Sequence, residues 1–187
     1  MILTLYPGGW TMSLNQEQFA LLSRGIIDLR GTVTEDTFEY VRDCMTALVA
    51  NDSPEITVWI TSDGGSIDAG LNIYDMLRNY PGYVTGLVIG KARSIALVIL
   101  QACDERQAHT NSTVFLHNPV YTVGHNILAQ CIRAQDSREF LAMQRRMVRV
   151  LTDKSKLSHA EVTRLCRNNT NLYADKAKRV GFIDTLI

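Results

Sequence analysis

The segment "GKARSIALVILQAC", residues 90–103, carries a serine at the start of a long apolar run. Eight of the ten residues from Ser94 to Cys103 are apolar, and the exceptions are Ser94 and Gln101. The preceding "YVTGLVIG" predicts a strand, so this segment predicts a sharp strand-to-helix turn followed by a buried helix. Either Ser94 caps this helix, as serine often does, or its hydroxyl is exposed at the turn as a nucleophile.

The residues around Ser94 favour a reactive serine. Ala92 and Ala96 flank it two positions away on either side, which satisfies the steric requirement of a nucleophile elbow with alanine in place of glycine. The N–H of Ile95 belongs to the first helical turn, where unpaired amides and the helix dipole favour a developing negative charge. Taken alone, this pattern is still more typical of a capping serine.

Strands and helices alternate on both sides of this segment. The runs "GIIDL", "ITVWI", "YVTGLVIG" and "STVFLHNP" predict strands, and helices are predicted from Thr34, after the turn "SDGGS" and from Ser94. This alternation predicts an α/β fold with a parallel or mixed sheet covered by helices. No linker or repeat interrupts it, so residues 1–187 are expected to form one domain.

Two further features are predicted at the carboxyl ends of the strands, where ligand sites gather in open sheets. His117 ends the fourth predicted strand, although a lone histidine there is more often a packing residue. Gly64 and Gly65 form a glycine turn that can bring backbone N–H groups and another backbone close together. This glycine pair lacks the spacing of a phosphate-binding loop and suits half of an oxyanion hole better.

A polar, arginine-containing helix is predicted over residues 126–151 and is longer than those before it. About 26 residues at 1.5 Å per residue reach about 39 Å, too far to lie wholly on a compact domain of this size. This helix is therefore expected to project and to contact another subunit.

The composition excludes several classes of partner. Nineteen basic residues balance nineteen acidic ones, so the net charge indicates neither a nucleic-acid nor an anionic membrane partner. No apolar run is long enough to span a bilayer, and no signal peptide is recognisable. Four scattered cysteines lack C-x-x-C spacing, which favours reduced thiols over disulfides or zinc. The expectation is a cytoplasmic protein without a metal or cofactor.

Four blocks of the sequence, in order, resemble the ClpP family, the proteolytic subunit of the ATP-dependent Clp protease. These blocks are "ITSDGGSIDAGLNIYDML", "GKARSIALVILQA", "STVFLHNP" and "ADKAKRVGFIDTLI". The resemblance covers about residues 25–187 and implies the ClpP/crotonase-like fold. It also implies an N-terminal axial segment over about residues 1–20 and a handle, a strand and long helix over about residues 120–152. In the family, this handle joins two heptameric rings.

The resemblance also implies site residues. Ser94 matches the nucleophile, His117 the general base, and Gly65 and Ile95 the two oxyanion amides. The third triad member is aspartate in most relatives, whereas here the matching position is Asn169, with Asn168 as a one-residue alternative. An asparagine carbonyl can still accept the imidazole N–H, but it cannot supply the charge that stabilises imidazolium.

Three other positions depart from the family pattern. Asp63 stands where proline usually precedes the two glycines, so the oxyanion loop is expected to be less rigid. Arg93 replaces a small residue before the nucleophile, and its charge either tunes the site or, as we slightly favour, is solvated. Of the glycines in the strand that pairs with an extended peptide, only Gly124 remains; Gly64 and Gly124 are the expected substrate-binding residues.

The leading hypothesis is a serine endopeptidase subunit that cleaves unfolded polypeptides or short peptides inside a homo-oligomeric tetradecamer. No nucleotide site is visible, so unfolding would require a separate AAA+ ATPase. A second hypothesis is a structural or regulatory ring subunit that assembles with a more active paralogous ClpP-like subunit. An acyl-CoA enzyme of the crotonase branch is the third hypothesis.

Overall fold

The computed structural model describes residues 2–5, 11–119 and 138–187. The strands are β1 Ile2–Leu5, β2 Thr11–Leu14, β3 Ile26–Val33, β4 Ile56–Gly65, β5 Val84–Arg93, β6 Glu105–Ala108, β7 Thr113–Leu116, β8 Thr170–Tyr173 and β9 Thr185–Leu186. The helices are α1 Gln16–Leu22, α2 Glu35–Ala50, α3 Ile67–Arg78, α4 Ile95–Leu100, α5 Arg138–Asp153, α6 His159–Arg167 and α7 Ala174–Val180.

The main sheet is mostly parallel, which confirms the predicted α/β architecture. Strands β3, β4, β5, β6 and β9 lie side by side in that order, and all four pairings are parallel. Strand β7 also pairs in parallel with β5, and β8 pairs antiparallel with β7. The antiparallel β7–β8 pair makes the sheet mixed.

Strand β5 exchanges one neighbour for another along its length. Its first half pairs with β6 and its last three residues pair with β7. Gly90 lies at the change of partner with a φ of 85°, which suits glycine. The buried Ser112 hydroxyl accepts from the Gly90 N–H at 3.0 Å and donates to the Val88 carbonyl at 3.0 Å. This bend carries the end of β5, and Ser94 after it, next to β7.

The core surrounds the helix that the apolar run predicted. All six residues of α4 are buried, and the inward positions of β4 alternate with half-buried ones, as a strand covered on one side requires. Helix α3 contacts α4 at Gly70, where a Cβ atom would overlap the side chain of Ile95. Close packing therefore fixes the first residue after Ser94.

Most predicted helices are confirmed at their starts. Helix α2 begins after Thr34, as predicted, and helix α6 begins after Ser158, each with a capping box. The buried run after Ser94 is helical only to Leu100, because the chain must turn at once into β6. Strands β6 and β8 are too short and too polar to have been predicted.

The structure describes only part of the N-terminal axial segment and only part of the handle. Strands β1 and β2 form an antiparallel pair at the N-terminus, with Ile2 opposite Leu14. Helix α5 gives the end of the predicted long helix, whereas its predicted start and Gly124 lie outside the described residues. Within the described ranges, no helix is long and apolar enough to cross a membrane.

Candidate active site

Ser94 occupies a strained turn between β5 and α4. Its φ of 55° and ψ of −125° lie outside the regions that residues with a side chain favour. Its side chain makes no capping hydrogen bond to the helix. Its own N–H donates to the Phe115 carbonyl at 2.9 Å, which ties the turn to β7. The capping interpretation is therefore wrong, and the half-buried hydroxyl is left available for another role.

The glycine turn at the end of β4 lies directly against Ser94. A Cβ atom at Gly64 would stand 2.8 Å from the Cβ of Ser94 and 2.8 Å from the Arg93 carbonyl oxygen. Only glycine allows this approach, and its φ of 96° also favours glycine. The turn that precedes α3 and the turn that precedes α4 therefore meet.

A buried serine supports this glycine turn. The Ser62 hydroxyl donates to the Gly31 carbonyl at 2.6 Å and accepts from the Gly64 N–H at 3.0 Å. The N–H of Ser66 donates to the Val33 carbonyl at 2.8 Å. Gly65 lies between these two occupied amides, pressed against the backbone of Val33. We call residues 62–66 the oxyanion loop.

The amide of Ile95 faces the same space. Its nitrogen lies 3.4 Å from the position that a Cβ atom would take at Gly64. Within the described part of the chain, the Ile95 N–H is not among the donors of the turn and cap hydrogen bonds. Gly65 and Ile95, the two predicted oxyanion amides, therefore belong to two turns in contact with each other.

His117 reaches this edge of the sheet on the neighbouring strand. Arg93 of β5 pairs with Phe115 of β7, so Ser94 lies one residue and His117 two residues beyond this pair, at the same edge of the sheet. His117 is half-buried, and its ring stacks on Phe115 with 5.4 Å between ring centroids. Burial, and then the positive charge of Arg93, lower the pKa of His117. A neutral imidazole suits a general base.

The β7–β8 register distinguishes between the two asparagines. Leu116 pairs with Thr170, so the next pair in this antiparallel register is His117 with Asn169, and Asn168 is one position farther. Asn169 has a φ of 49°, a left-handed conformation that asparagine tolerates better than most residues. Asn168 instead forms the C-cap of α6. Of the two, Asn169 stands closer in register to the histidine.

The three residues predicted to form a triad are not joined by hydrogen bonds in the described structure. Across residues 11–119 and 138–187, no side-chain hydrogen bond joins Ser94, His117 and Asn169. Catalytic hydrogen bonds are often long or poorly aligned without substrate, so this geometry does not exclude a working site. The backbone turns of the site are therefore in contact with each other, although its side chains are not hydrogen-bonded to one another.

The two charged residues that depart from the family pattern, Asp63 and Arg93, also lie here. Arg93 pairs with Asp63 of the oxyanion loop at 3.3 Å, and its guanidinium carbon lies 4.5 Å from the centroid of the Phe115 ring. The Arg93 side chain is 40% exposed, so its charge is partly solvated and also paired. The available signal was that residues 93 and 115 lie on the same face of neighbouring strands. Using this signal requires knowledge of the strand register.

A cavity of about 710 Å³ lies away from the strand ends that carry Ser94 and His117, between the end of α2 and the residues that join α1 to β3, and includes Phe19, Leu48 and Pro54. The described residues contain no group of three His, Cys, Asp or Glu side chains arranged to hold a metal.

This combination of an α/β sheet, a strained serine elbow and a glycine turn against it is typical of a serine hydrolase. A family model described as Clp protease matches residues 11–187. The chain belongs to the Clp protease family, and it is a ClpP-like subunit of the serine peptidase type. This membership argues against the acyl-CoA hypothesis.

One solved structure agrees in fold with this chain. It is an asparagine-to-aspartate mutant of ClpP1 from Listeria monocytogenes, which superposes with a TM-score of 0.79 at 21% sequence identity. The alignment covers 91% of this chain and 95% of that chain. This similarity extends over nearly the whole fold and confirms the predicted ClpP-like architecture.

Proposed function

We propose that the chain is an active serine endopeptidase that hydrolyses peptide bonds of unfolded proteins or short peptides. The observation that carries this proposal is the backbone of Ser94. A non-glycine residue held at a φ of 55° without a capping bond costs stability, and such strain persists where function requires it.

The proposed reaction divides the work among five residues. The Ser94 hydroxyl oxygen attacks the carbonyl carbon of the peptide bond while His117 takes the hydroxyl proton. The N–H groups of Gly65 and Ile95 stabilise the oxyanion that forms. Protonated His117 then gives its proton to the leaving amine, which breaks the carbon–nitrogen bond and leaves an acyl-enzyme that water hydrolyses. The Asn169 carbonyl accepts the other imidazole N–H and holds the ring.

The proposed substrate binds in an extended conformation. Gly64 and Gly124 are the proposed contacts for its backbone, because glycines allow another chain to approach closely. We further propose that the subunits form heptameric rings stacked as a tetradecamer. Folded substrates would then require a separate AAA+ ATPase, since no nucleotide site is visible in this sequence.

A weakly active or inactive structural ring subunit is the second candidate. The neutral Asn169 favours it, because loss of the carboxylate from a serine triad costs roughly 10⁴ in rate. The absence of hydrogen bonds among Ser94, His117 and Asn169 in the described structure points the same way. Such a subunit would depend on a paralogous, more active partner.

A fluorophosphonate probe separates these candidates. The wild-type chain is expected to be labelled, with Ser94→Ala and His117→Ala both unlabelled. Native mass spectrometry of the same samples checks that the variants assemble as the wild type does, in rings of seven or fourteen. Assembled wild-type rings that resist labelling would favour the structural subunit.

A further inference from the structure

Two charged residues connect the oxyanion loop to the nucleophile turn. Asp63 immediately precedes Gly64, and Arg93 immediately precedes Ser94. The Arg93 guanidinium lies 3.3 Å from one Asp63 carboxylate oxygen, and the Lys91 ammonium lies 2.5 Å from the other. These hydrogen bonds lower the pKa of Asp63 and keep it ionised, and the bond from Lys91 has the largest effect.

The same guanidinium also contacts the strand that carries His117. It lies over the Phe115 ring at 4.5 Å, within the range of a cation–π contact. The Phe115 ring is in turn stacked on the imidazole of His117, with 28° between the two planes. Arg93 therefore contacts the oxyanion loop directly, through Asp63. It contacts His117 indirectly, through the ring of Phe115.

These contacts do little for folding. The side chains of Arg93 and Asp63 are 40% and 57% exposed, and exposed ion pairs contribute little to stability. Arginine is nevertheless suited to hold two groups at once, because its planar fork binds a carboxylate while its face stacks on an aromatic ring. The arrangement fixes geometry rather than the fold.

We propose that Asp63 and Arg93 form a positioning pair that sets the oxyanion loop relative to the imidazole of His117. This inference rests on the proposed peptidase function and extends it. Relatives have a proline before the two glycines. This chain has instead an ion pair whose arginine stacks on Phe115 of β7, the strand that leads to His117. The loop and the base are thereby coupled, which a proline alone would not achieve.

A double-mutant cycle tests the coupling. Asp63→Asn, Arg93→Gln and the double variant are compared by the rate of Ser94 labelling with the fluorophosphonate. Each single change is expected to slow labelling about tenfold, and the double variant is expected to be no slower than the slower single variant. Effects that multiply, or single variants that label normally, would overturn the proposal.

Arg42→Gln is the matched control. Arg42 pairs with Asp43 on α2 at 3.1 Å and is similarly exposed, but it contacts no element of the site. It is expected to label at the wild-type rate. Arg93→Lys is the conservative variant and should restore part of the rate, because lysine keeps the ion pair but loses the planar stacking.

The pH dependence gives a readout that a purely structural role would not move. The charge that acts on His117 is that of Arg93 from β5, which is itself paired with Asp63, and the residues nearest in register on the β8 side, Asn169 and Asn171, are neutral. Removing the Arg93 charge should raise the pKa of His117, and removing the Asp63 charge should lower it. The acid limb of labelling is therefore expected to shift to higher pH in Arg93→Gln and to lower pH in Asp63→Asn.

The two proposals fail in different ways. If the wild-type chain is not labelled, the peptidase function fails, and the pair is then tested by NMR titration of His117 in the same variants. Opposite shifts of the His117 pKa in the two single variants would still support the pair. An unchanged pKa, or shifts in the same direction, would overturn it whether or not the chain is a peptidase.

Discussion

Ser94 and Asn169 are both non-glycine residues with positive φ angles, 55° and 49°, yet their surroundings differ. Ser94 is locked between a buried helix, a glycine turn and a hydrogen bond to β7. Asn169 is exposed just after a helix C-cap and directly precedes Thr170, which pairs with Leu116. The nucleophile side is fixed by backbone packing, whereas the base side depends on side chains that can adjust.

The largest effect is expected from a methyl group on the rigid side. Gly64→Ala would place a Cβ atom 2.8 Å from that of Ser94, so the turn must move. A displacement of about 1 Å costs roughly 100-fold in rate, and we expect at least that loss in Ser94 labelling.

Gly25→Ala is the control for Gly64→Ala. Gly25 has a φ of 71°, and its Cβ would lie 2.9 Å from the Glu55 carbonyl oxygen, at the opposite end of the sheet. It should lower the denaturation midpoint comparably while folded protein labels at the wild-type rate. Equal labelling of both variants would show that the glycine turn does not position the nucleophile.

A smaller effect is expected on the adjustable side. Asn169→Asp supplies the charge that stabilises imidazolium, so peptide hydrolysis and Ser94 labelling should accelerate, by about tenfold or more. Asn168→Asp adds the same charge one residue out of register and is expected to change the rate much less. A greater acceleration in Asn168→Asp would mean that the wrong asparagine has been placed opposite His117.

The pH dependence of labelling sharpens the same comparison. Burial and Arg93 lower the pKa of His117, so the imidazole stays neutral as the pH falls below its ordinary value of about 6.5. The acid limb of the wild-type rate profile should therefore lie below pH 6.5. A carboxylate in Asn169→Asp favours imidazolium and should move this limb to higher pH. A wild-type limb above pH 6.5 would contradict the environment described for His117.

The smallest effect concerns stability. Glycine relieves strain only where the native backbone is unfavourable for other residues, so Ser94→Gly should be more stable than Ser94→Ala by about 1 kcal/mol. Asn169→Gly should differ from wild type by only a few tenths of a kcal/mol, because asparagine already tolerates its left-handed conformation. Chemical denaturation at one protein concentration measures both. Equal changes in the free energy of unfolding on introducing glycine at residues 94 and 169 would contradict the contrast between a strained and a relaxed turn.

Much of the fold was predictable because its signals are local. The alternation of strands with helices and the caps at Thr34 and Ser158 depend on residues close in the chain. Strands β6 and β8 escaped prediction because four polar or mixed residues carry no clear period. They are strands only because β5 and β7 offer them partners.

The candidate site was predictable to a similar extent. Ser94 and Gly65 carry local signals, a serine between small residues and a glycine pair, each between a strand and a helix. Asn169 followed only from the resemblance, with Asn168 left open. The contact of Arg93 with Asp63 was missed, because it joins residues 30 positions apart.

The amino-acid sequence by itself determined the class of fold, the turns and the residues able to react, since each depends on neighbours within one helix or strand. Only the tertiary structure decided that β5 leaves β6 for β7 at Gly90, that the β7–β8 register brings Asn169 closer than Asn168 to His117, and that Arg93 joins Asp63 to Phe115. Register decides these contacts. It is set by packing between strands far apart in the chain, and a shift of one residue would turn each side chain to the other face of the sheet.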